Sequence, residues 1–530
     1  MCLVNALPVI KADGLKFVLT FRNQLTVEHL MAAIPCAIAL LGSSSVVVMS
    51  YASHLLERLF VMKAPQQEGV KATKPLISAD FVEQHADHLF QIICNQILTR
   101  PETSESVYAM RALLRSIWLL EARSLPRLAS IVLPRLSERI VTISRNPSRP
   151  EFNHYLFETV CVCCHVACRK SAMGASALTE LEGVLLPAFQ TIIQNDVQEF
   201  LPYVFQVITL MLDYNEPGKI SQTYMNMLPF FLQPTYWERK GNIPALTLLT
   251  QAYIEKSPNQ ITDEQVVGML GIFQKLVMNK LYDHDGFRLL TGLTSHIPAQ
   301  RMQSNIKGIF TIILQRLSSS KTPKFVRSLL MFLGTFVRLP SWGGGDFVIE
   351  TFDSIQPNLF GMLVERIFLL EAMKVQGWPS RFRLALGLAA FLMSGKFIEK
   401  YHNMWPKVVE LAVQLVESQQ EENNEQDDGD NFHIDMEEIT GYEAAFSQLA
   451  FASRRSADLS GGDTTPLPTT GGLRWESFAK AQIEVRTELG KAINVHFAKV
   501  AASMHVPLAN SFTPGVKSVL HSYGVPITMA

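Results

Sequence analysis

The chain has 530 residues, of which 48% are hydrophobic and 18% charged, and its net charge is −1. That apolar content suits a large core and excludes bulk disorder, and the near-neutral balance excludes a general nucleic-acid binder, whose contact face is strongly basic. Seven cysteines at spacings that form no disulfide framework favour a reducing compartment.

The opening MCLVNALPVIKADGLK lacks the basic stretch and clean apolar core of a signal peptide. Asn146-Pro147-Ser148, with proline in the middle, is no glycosylation acceptor. From about residue 8 to 418 the pattern is helix, short break, helix. Apolar periodicity predicts helices at about 27–42, 46–62, 79–98, 105–121, 126–144, 151–170, 177–193 and 196–213. It continues with 219–231, 243–256, 262–278, 284–296, 300–317, 322–338, 379–395 and 404–417.

The clearest start is Thr262 with Gln265, a capping box, flanked by Ile261 and Val266 as a hydrophobic staple. Asp196 with Glu199 is expected to cap 196–213 in the same way. Successive pairs begin roughly 40–50 residues apart, the period of HEAT and armadillo arrays. A helix pair cannot bury its apolar face alone, so such pairs must stack into one continuous core. The predicted fold class is therefore all-α, a HEAT/armadillo-like solenoid of antiparallel helix pairs over 1–416.

Several local patterns suggest chemistry and fall short of it. Cys161, Cys163, Cys164 and Cys168, with His165, sit on one predicted helix without the second ligand pair of a zinc site, so buried packing is the simpler reading. A metalloprotein at this cluster remains an alternative. Tyr282 to Phe287 lacks the acids of a calcium loop, and Asp283 or Asp285 is expected to cap the next helix. Leu30 to His54 carries no Asp, Glu, Lys or Arg, but Pro35 and Gly42 divide it into pieces too short to span a bilayer. Pro340 to Gly345 reads as a flexible loop and Ser394-Gly395-Lys396 lacks the rest of a phosphate loop, so no nucleotide, cofactor or metal is expected. No catalytic constellation is present in the sequence, and the chain is expected not to be an enzyme.

One run stands apart. Residues 417–438 hold ten Asp and Glu and no Lys or Arg, which leaves the rest of the chain near +9. Glu421, Glu422, Glu425, Asp427, Asp428, Asp430, Asp435, Glu437 and Glu438 are the candidate contacts for a basic partner in a 417–440 acidic loop. After it, 441–453 reads as a docking helix carrying Tyr442, Phe446, Leu449 and Phe451, expected to pack on the last repeats. Residues 454–474 read as a flexible linker and 475–530 as a partly helical tail.

Six stretches together resemble the CAS-type exportins of the importin-beta (karyopherin) superfamily. They are KADGLKFVLTFRNQL (11–25), YASHLLERLF (51–60), QNDVQEFLPYVFQV (194–207), LQPTYWERKGNIPAL (232–246), LYDHDGF (281–287) and GYEAAFSQLAFA (441–452). The resemblance implies a non-catalytic HEAT-repeat receptor that binds importin-alpha together with Ran-GTP and returns importin-alpha from nucleus to cytoplasm. It implies shuttling between nucleus and cytoplasm, nuclear pore proteins as further candidate partners, and neither nucleic acid nor membrane insertion. The chain matches only the family's C-terminal half. The N-terminal repeats with the main Ran-binding surface have no counterpart in it, and Trp342 to Asp346 and the tail beyond Arg454 depart from the pattern. The alternative is a generic helical-repeat scaffold for another protein.

Overall fold

The computed structural model describes residues 7–64, 75–169, 174–418, 448–450, 452, 478–499 and 511–525. Among them every regular element is helical, apart from one isolated antiparallel bridge between Lys63 and Pro75. The predicted helix pairs form, stacked as an all-α HEAT-type solenoid. The chain groups into two compact units. Unit 1 comprises residues 1–216, 240–249 and 431–455, and unit 2 comprises 217–239, 250–430 and 456–530.

In unit 1 one layer is built from Pro8–Phe21, Val46–Phe60, Val107–Leu119, Pro150–Arg169 and Leu201–Tyr214, each touching the next. A second layer includes Val27–Leu41, Ala79–Ile92, Leu133–Ile143 and Gly174–Gln194. Contact between every second helix is what stacking of pairs requires, because each pair buries its apolar face against its neighbours. The cysteine cluster lies inside this stack. Cys161, Cys163 and Cys164 are fully buried, and burial pushes their thiols well up, away from the thiolate a metal needs. Cys94 is pushed up to about 12 for the same reason. Residues 30–54 divide between Val27–Leu41 and Val46–Phe60, and no helix among the described residues is long and apolar enough to cross a membrane.

In unit 2 the corresponding layer is Asp283–His296, Pro323–Phe336, Trp378–Leu392 and Phe478–Lys499. Asp263–Val277, Ile306–Ser319 and Gly344–Ile355 stack against it in a second layer. The Thr262–Gln265 capping box forms with both of its hydrogen bonds, and Ile261 and Val266 are buried beside it.

Three local expectations change. The helix expected over 196–213 begins at Leu201 instead: Asp196 takes φ 50, and the turn before the helix is closed by the backbone bonds of Val197 and Phe200. Asp283 and Asp285 do not cap; they lie inside the first turn and are buried, Asp283 against Arg316. Pro340 to Gly345 is not a loose loop. It is a short turn whose Trp342 is buried and donates Nε1–H to the carbonyl of Thr294 at 2.8 Å. Gly343 and Gly344 at φ 80 and 68 then admit the chain into the helix Gly344–Ile355. The tail also carries the helix Pro514–Ser522, started by the Thr513 side chain.

The tail helix Phe478–Lys499 closes unit 2. Arg486 reaches Glu417 with both forks, Nε to Oε1 at 2.8 Å and Nη2 to Oε2 at 2.6 Å, and Tyr523 donates to the same Oε1 at 2.5 Å. A bidentate guanidinium–carboxylate pair fixes direction as well as distance. Deeper in, His496 is fully buried and stacks on Trp405 with ring centroids 4.1 Å apart. Burial lowers its pKa to about 4. In the unfolded chain an imidazole keeps its ordinary value of about 6.5. Between those values the unfolded state binds a proton that the folded state refuses. Stability therefore falls as the pH drops through that window, by up to about 1.4 kcal/mol per pH unit for this residue. His496→Phe keeps a ring against Trp405 and removes the titration. Urea midpoints measured from pH 7 to pH 4.5 should fall less steeply in the variant; equal slopes would contradict this account of His496.

Candidate functional site

The site begins with the layer of helices in unit 1. Their contacts carry a line of buried polar groups rather than aliphatic side chains alone. Glu57 is 1% exposed and accepts from Arg111 Nη2 at 3.0 Å, and the Arg111 guanidinium lies 5.3 Å from the Tyr155 ring centre. Arg115 is also buried, and desolvation brings it down to about 10 against the pull of Glu57 and Tyr155. Buried charges of this kind persist only when paired, because an isolated one is too costly to desolvate.

The line continues to Glu158 and Gln206, which sit on the neighbouring helices Pro150–Arg169 and Leu201–Tyr214. They are 3% and 8% exposed. Gln206 Nε2 donates to the carbonyl of Pro202 at 2.9 Å, which fixes the amide so that Oε1 faces out of its own helix. Glu158 lies 3.7 Å from His154 Nε2. Phe157 stacks on Tyr203 with centroids 4.9 Å apart and holds the two helices in register.

The described part of the 441–453 segment lands on these two acceptors. The Leu449 amide donates to Gln206 Oε1 at 2.8 Å, and the Ala450 amide donates to Glu158 Oε1. Leu449 is fully buried. The expectation of packing on the last repeats is corrected: the bonds of Leu449 and Ala450 instead reach helices in the middle of the chain. The physical reason is that two successive backbone amides, of Leu449 and Ala450, meet two buried acceptors on adjacent helices. Tyr442, Phe446 and Phe451 lie outside the described residues, as do the nine acidic candidates Glu421, Glu422, Glu425, Asp427, Asp428, Asp430, Asp435, Glu437 and Glu438.

Magnitudes indicate how firmly the segment is held. Burying one leucine contributes about 1.5–3 kcal/mol and each hydrogen bond about 1 kcal/mol. Fixing the backbone costs about 1–2 kcal/mol per residue. At Leu449 and Ala450, the two residues bonded here, these gains and the backbone cost are of similar size.

The second polar cluster, in unit 2, falls on the LYDHDGF motif. Asp283 is fully buried and bonds Arg316 Nη2 at 3.0 Å, while Asp285 is pushed up to about 6 and His284 down to about 4, both chiefly by burial. Among the described residues no group of three or more His, Cys, Asp or Glu side chains has the arrangement of a metal site. Sequence patterns gave no warning of Glu158, a lone Glu in an apolar helix; Gln206 lies in the stretch 194–207 that carries the family resemblance, but nothing there singled it out.

Comparison with known proteins gives the molecule its relatives. Residues 57–465 match the family model for the CAS/CSE protein C-terminus, and residues 2–56 match the Cse1 model. Exportin-2 of Xenopus laevis is 39% identical over 464 residues, covering 86% of this chain and 46% of that protein. Exportin-2 of Homo sapiens is 38% identical over 460 residues with the same coverage. The solved structure of the exportin Cse1 in its cargo-free, cytoplasmic state superposes with a TM-score of 0.77 at 25% identity, covering 98% of this chain and 50% of that one. The chain thus spans about half the length of the relatives it matches.

Proposed function

The chain belongs to the CAS/CSE family of exportins, and on that premise we propose that it is a segment of a nuclear transport receptor, a non-catalytic scaffold that binds importin-alpha. In this reading importin-alpha is carried together with Ran-GTP and returned from nucleus to cytoplasm. The chain supplies one part of the receptor's wall, and its localisation follows as shuttling between the two compartments. The observation that supports this most is relatedness to exportin-2 along most of the chain, on a fold whose stacked repeats offer long surfaces rather than a catalytic cleft. Nuclear pore proteins are further candidate partners. Neither nucleic acid nor a cofactor has a role.

The experiment is a titration of the chain against purified importin-alpha. Saturable binding supports the reading. If the chain binds another helical-repeat client that importin-alpha fails to displace, the generic scaffold replaces it.

The acidic stretch is proposed as the electrostatic contact for a basic face of that partner. Changing all nine candidate acids to Gln or Asn should slow association about tenfold at low salt. The difference should vanish near 1 M salt, where the screening length is about 3 Å. Stopped-flow association rates check this, and unchanged rates at low salt would assign the nine acids to a solvated loop.

A further inference from the structure

We propose that Ser148 is a phosphorylation site for an arginine-directed serine kinase, which reads Arg145 three residues before it, and that the phosphate it gains takes Arg149 from Glu105. The proposal goes beyond the transport reading and does not depend on which cargo the chain carries.

The sequence alone does not single Ser148 out, because the pattern of arginine, two residues and then serine or threonine recurs along the chain. Such a kinase needs three things of its substrate: an exposed hydroxyl, a backbone free to lie extended, and a guanidinium free to pair with the kinase's own carboxylates. The structure removes the other described candidates on one or more of these counts. Arg127 precedes Ser130, but Glu83 and Asp87 hold it, and Ser130 lies in a helical segment with its hydroxyl donating to the Pro126 carbonyl at 2.6 Å. Arg139 and Thr142 share one helix, and Arg139 faces Glu105. Arg301 precedes Ser304 but is bonded to Asp263 and to the carbonyl of Ile261. Ser341 lies in the turn Pro340–Trp342, which the buried Trp342 anchors. Thr103 is buried, and Thr291 and Ser319 lie within helices.

Ser148 meets all three. It lies in the connector 146–149, which has no regular structure, between the helices Leu133–Ile143 and Pro150–Arg169. Ser148, Arg145 and Arg149 are all exposed. Pro147 and Pro150 disfavour helix at the residues before them, Asn146 and Arg149. Among the described residues, neither the Ser148 hydroxyl nor the Arg145 guanidinium has a hydrogen bond or ion pair.

The co-reactant is ATP. The Ser148 oxygen attacks the γ-phosphorus, a new P–O bond forms as the bond to the bridging oxygen breaks, ADP leaves, and the hydroxyl proton passes to the kinase's catalytic carboxylate. The product carries close to two negative charges. Arg149 follows it directly, with Nε 3.3 Å from Glu105 Oε2 and a side chain 65% exposed, so it is free to turn. A dianion outcompetes one carboxylate for the same guanidinium, because Coulomb energy scales with charge. Glu105 keeps a second cation in Arg139, whose Nη2 is 3.6 Å away.

The test incubates the whole chain with ATP and calcium/calmodulin-dependent kinase II and follows each site by mass spectrometry. Ser148 should gain phosphate about tenfold faster than Ser130 or Thr142, which must first unfold locally. Arg145→Ala should slow Ser148 about tenfold and Arg145→Lys less, both with unchanged melting curves. A phosphorus NMR titration of the modified chain gives a second readout. The phosphoserine should titrate below its ordinary value of about 6, and Arg149→Ala should move it back up. No phosphate on Ser148, a rate no higher than at Ser130, a rate indifferent to Arg145→Ala, or a titration midpoint that Arg149→Ala leaves in place would each overturn the proposal.

Discussion

Arg316→Met lowers the stability of unit 2 by about 3–5 kcal/mol, because it strands a buried carboxylate. Arg316 is 1% exposed and Asp283 is fully buried, with Nη2 and Oδ2 3.0 Å apart. The same guanidinium donates to the Ser320 carbonyl and lies 4.8 Å from the Phe325 ring centre. One side chain thus satisfies an acid, a helix end and an aromatic face. Methionine fills much of the volume and none of those roles. Burial already holds the Asp283 carboxyl above its ordinary value even with Arg316 present, and losing the cation raises it further. The cost falls on the charged form, so the loss shrinks as the pH falls through the raised folded value and is greatest above it. Adding Asp283→Asn removes the stranded charge and should restore at least half of the stability, since replacing both members of a buried pair is far milder than removing one. Urea denaturation of the single and double variants measures this. A loss below about 1 kcal/mol for Arg316→Met would show that water reaches the pair.

Gly387→Ala is the second large effect. The two helices Pro323–Phe336 and Trp378–Leu392 cross in direct backbone contact. A Cβ on Gly387 would lie 2.5 Å from the Cα of Gly334 and 2.8 Å from its carbonyl oxygen. Neither is a flexible side-chain end, so the helices must separate within a stack that is covered on both sides. The expected loss is about 3 kcal/mol. Helix propensity alone predicts the opposite sign, since alanine is better than glycine by about 1 kcal/mol inside a helix. Gly268→Ala supplies the contrast. Gly268 lies on the exposed face of Asp263–Val277 with nothing within 4 Å of a Cβ. It should gain about 1 kcal/mol. Denaturation midpoints that move in opposite directions support close approach as the cause; two gains would refute it.

These two sites also mark where sequence reasoning stops. Period and capping made the helices legible: Thr262 and Gln265 form their box, and Ile261 and Val266 are buried beside it. Partners across the stack were not legible. Nothing in the spacing links Arg316 to Asp283, 33 residues away, or Glu57 to Arg111, 54 away. Such pairs depend on which helix stacks on which, and the repeats share no consensus to fix that register. Glycine misled in a second way. Gly343, Gly344 and Gly345 read as a flexible loop because local propensity says so, whereas Trp342 anchors the turn in the core and a helix follows at once. The candidate site was half legible. The buried place of Leu449 follows from its apolar side chain, but Glu158 and Gln206 are recognisable only once their helices lie side by side.

The central claim is that this chain is a working part of an exportin that holds importin-alpha with Ran-GTP. The most direct measurement replaces the matching region of Xenopus laevis exportin-2 with this chain and records importin-alpha affinity with and without Ran-GTP. If the claim holds, the chimera binds importin-alpha and Ran-GTP raises that affinity, because both ligands favour one arrangement of the repeats and their binding is reciprocally coupled. A chimera that folds, still binds Ran-GTP and shows no importin-alpha binding at any Ran-GTP concentration contradicts it.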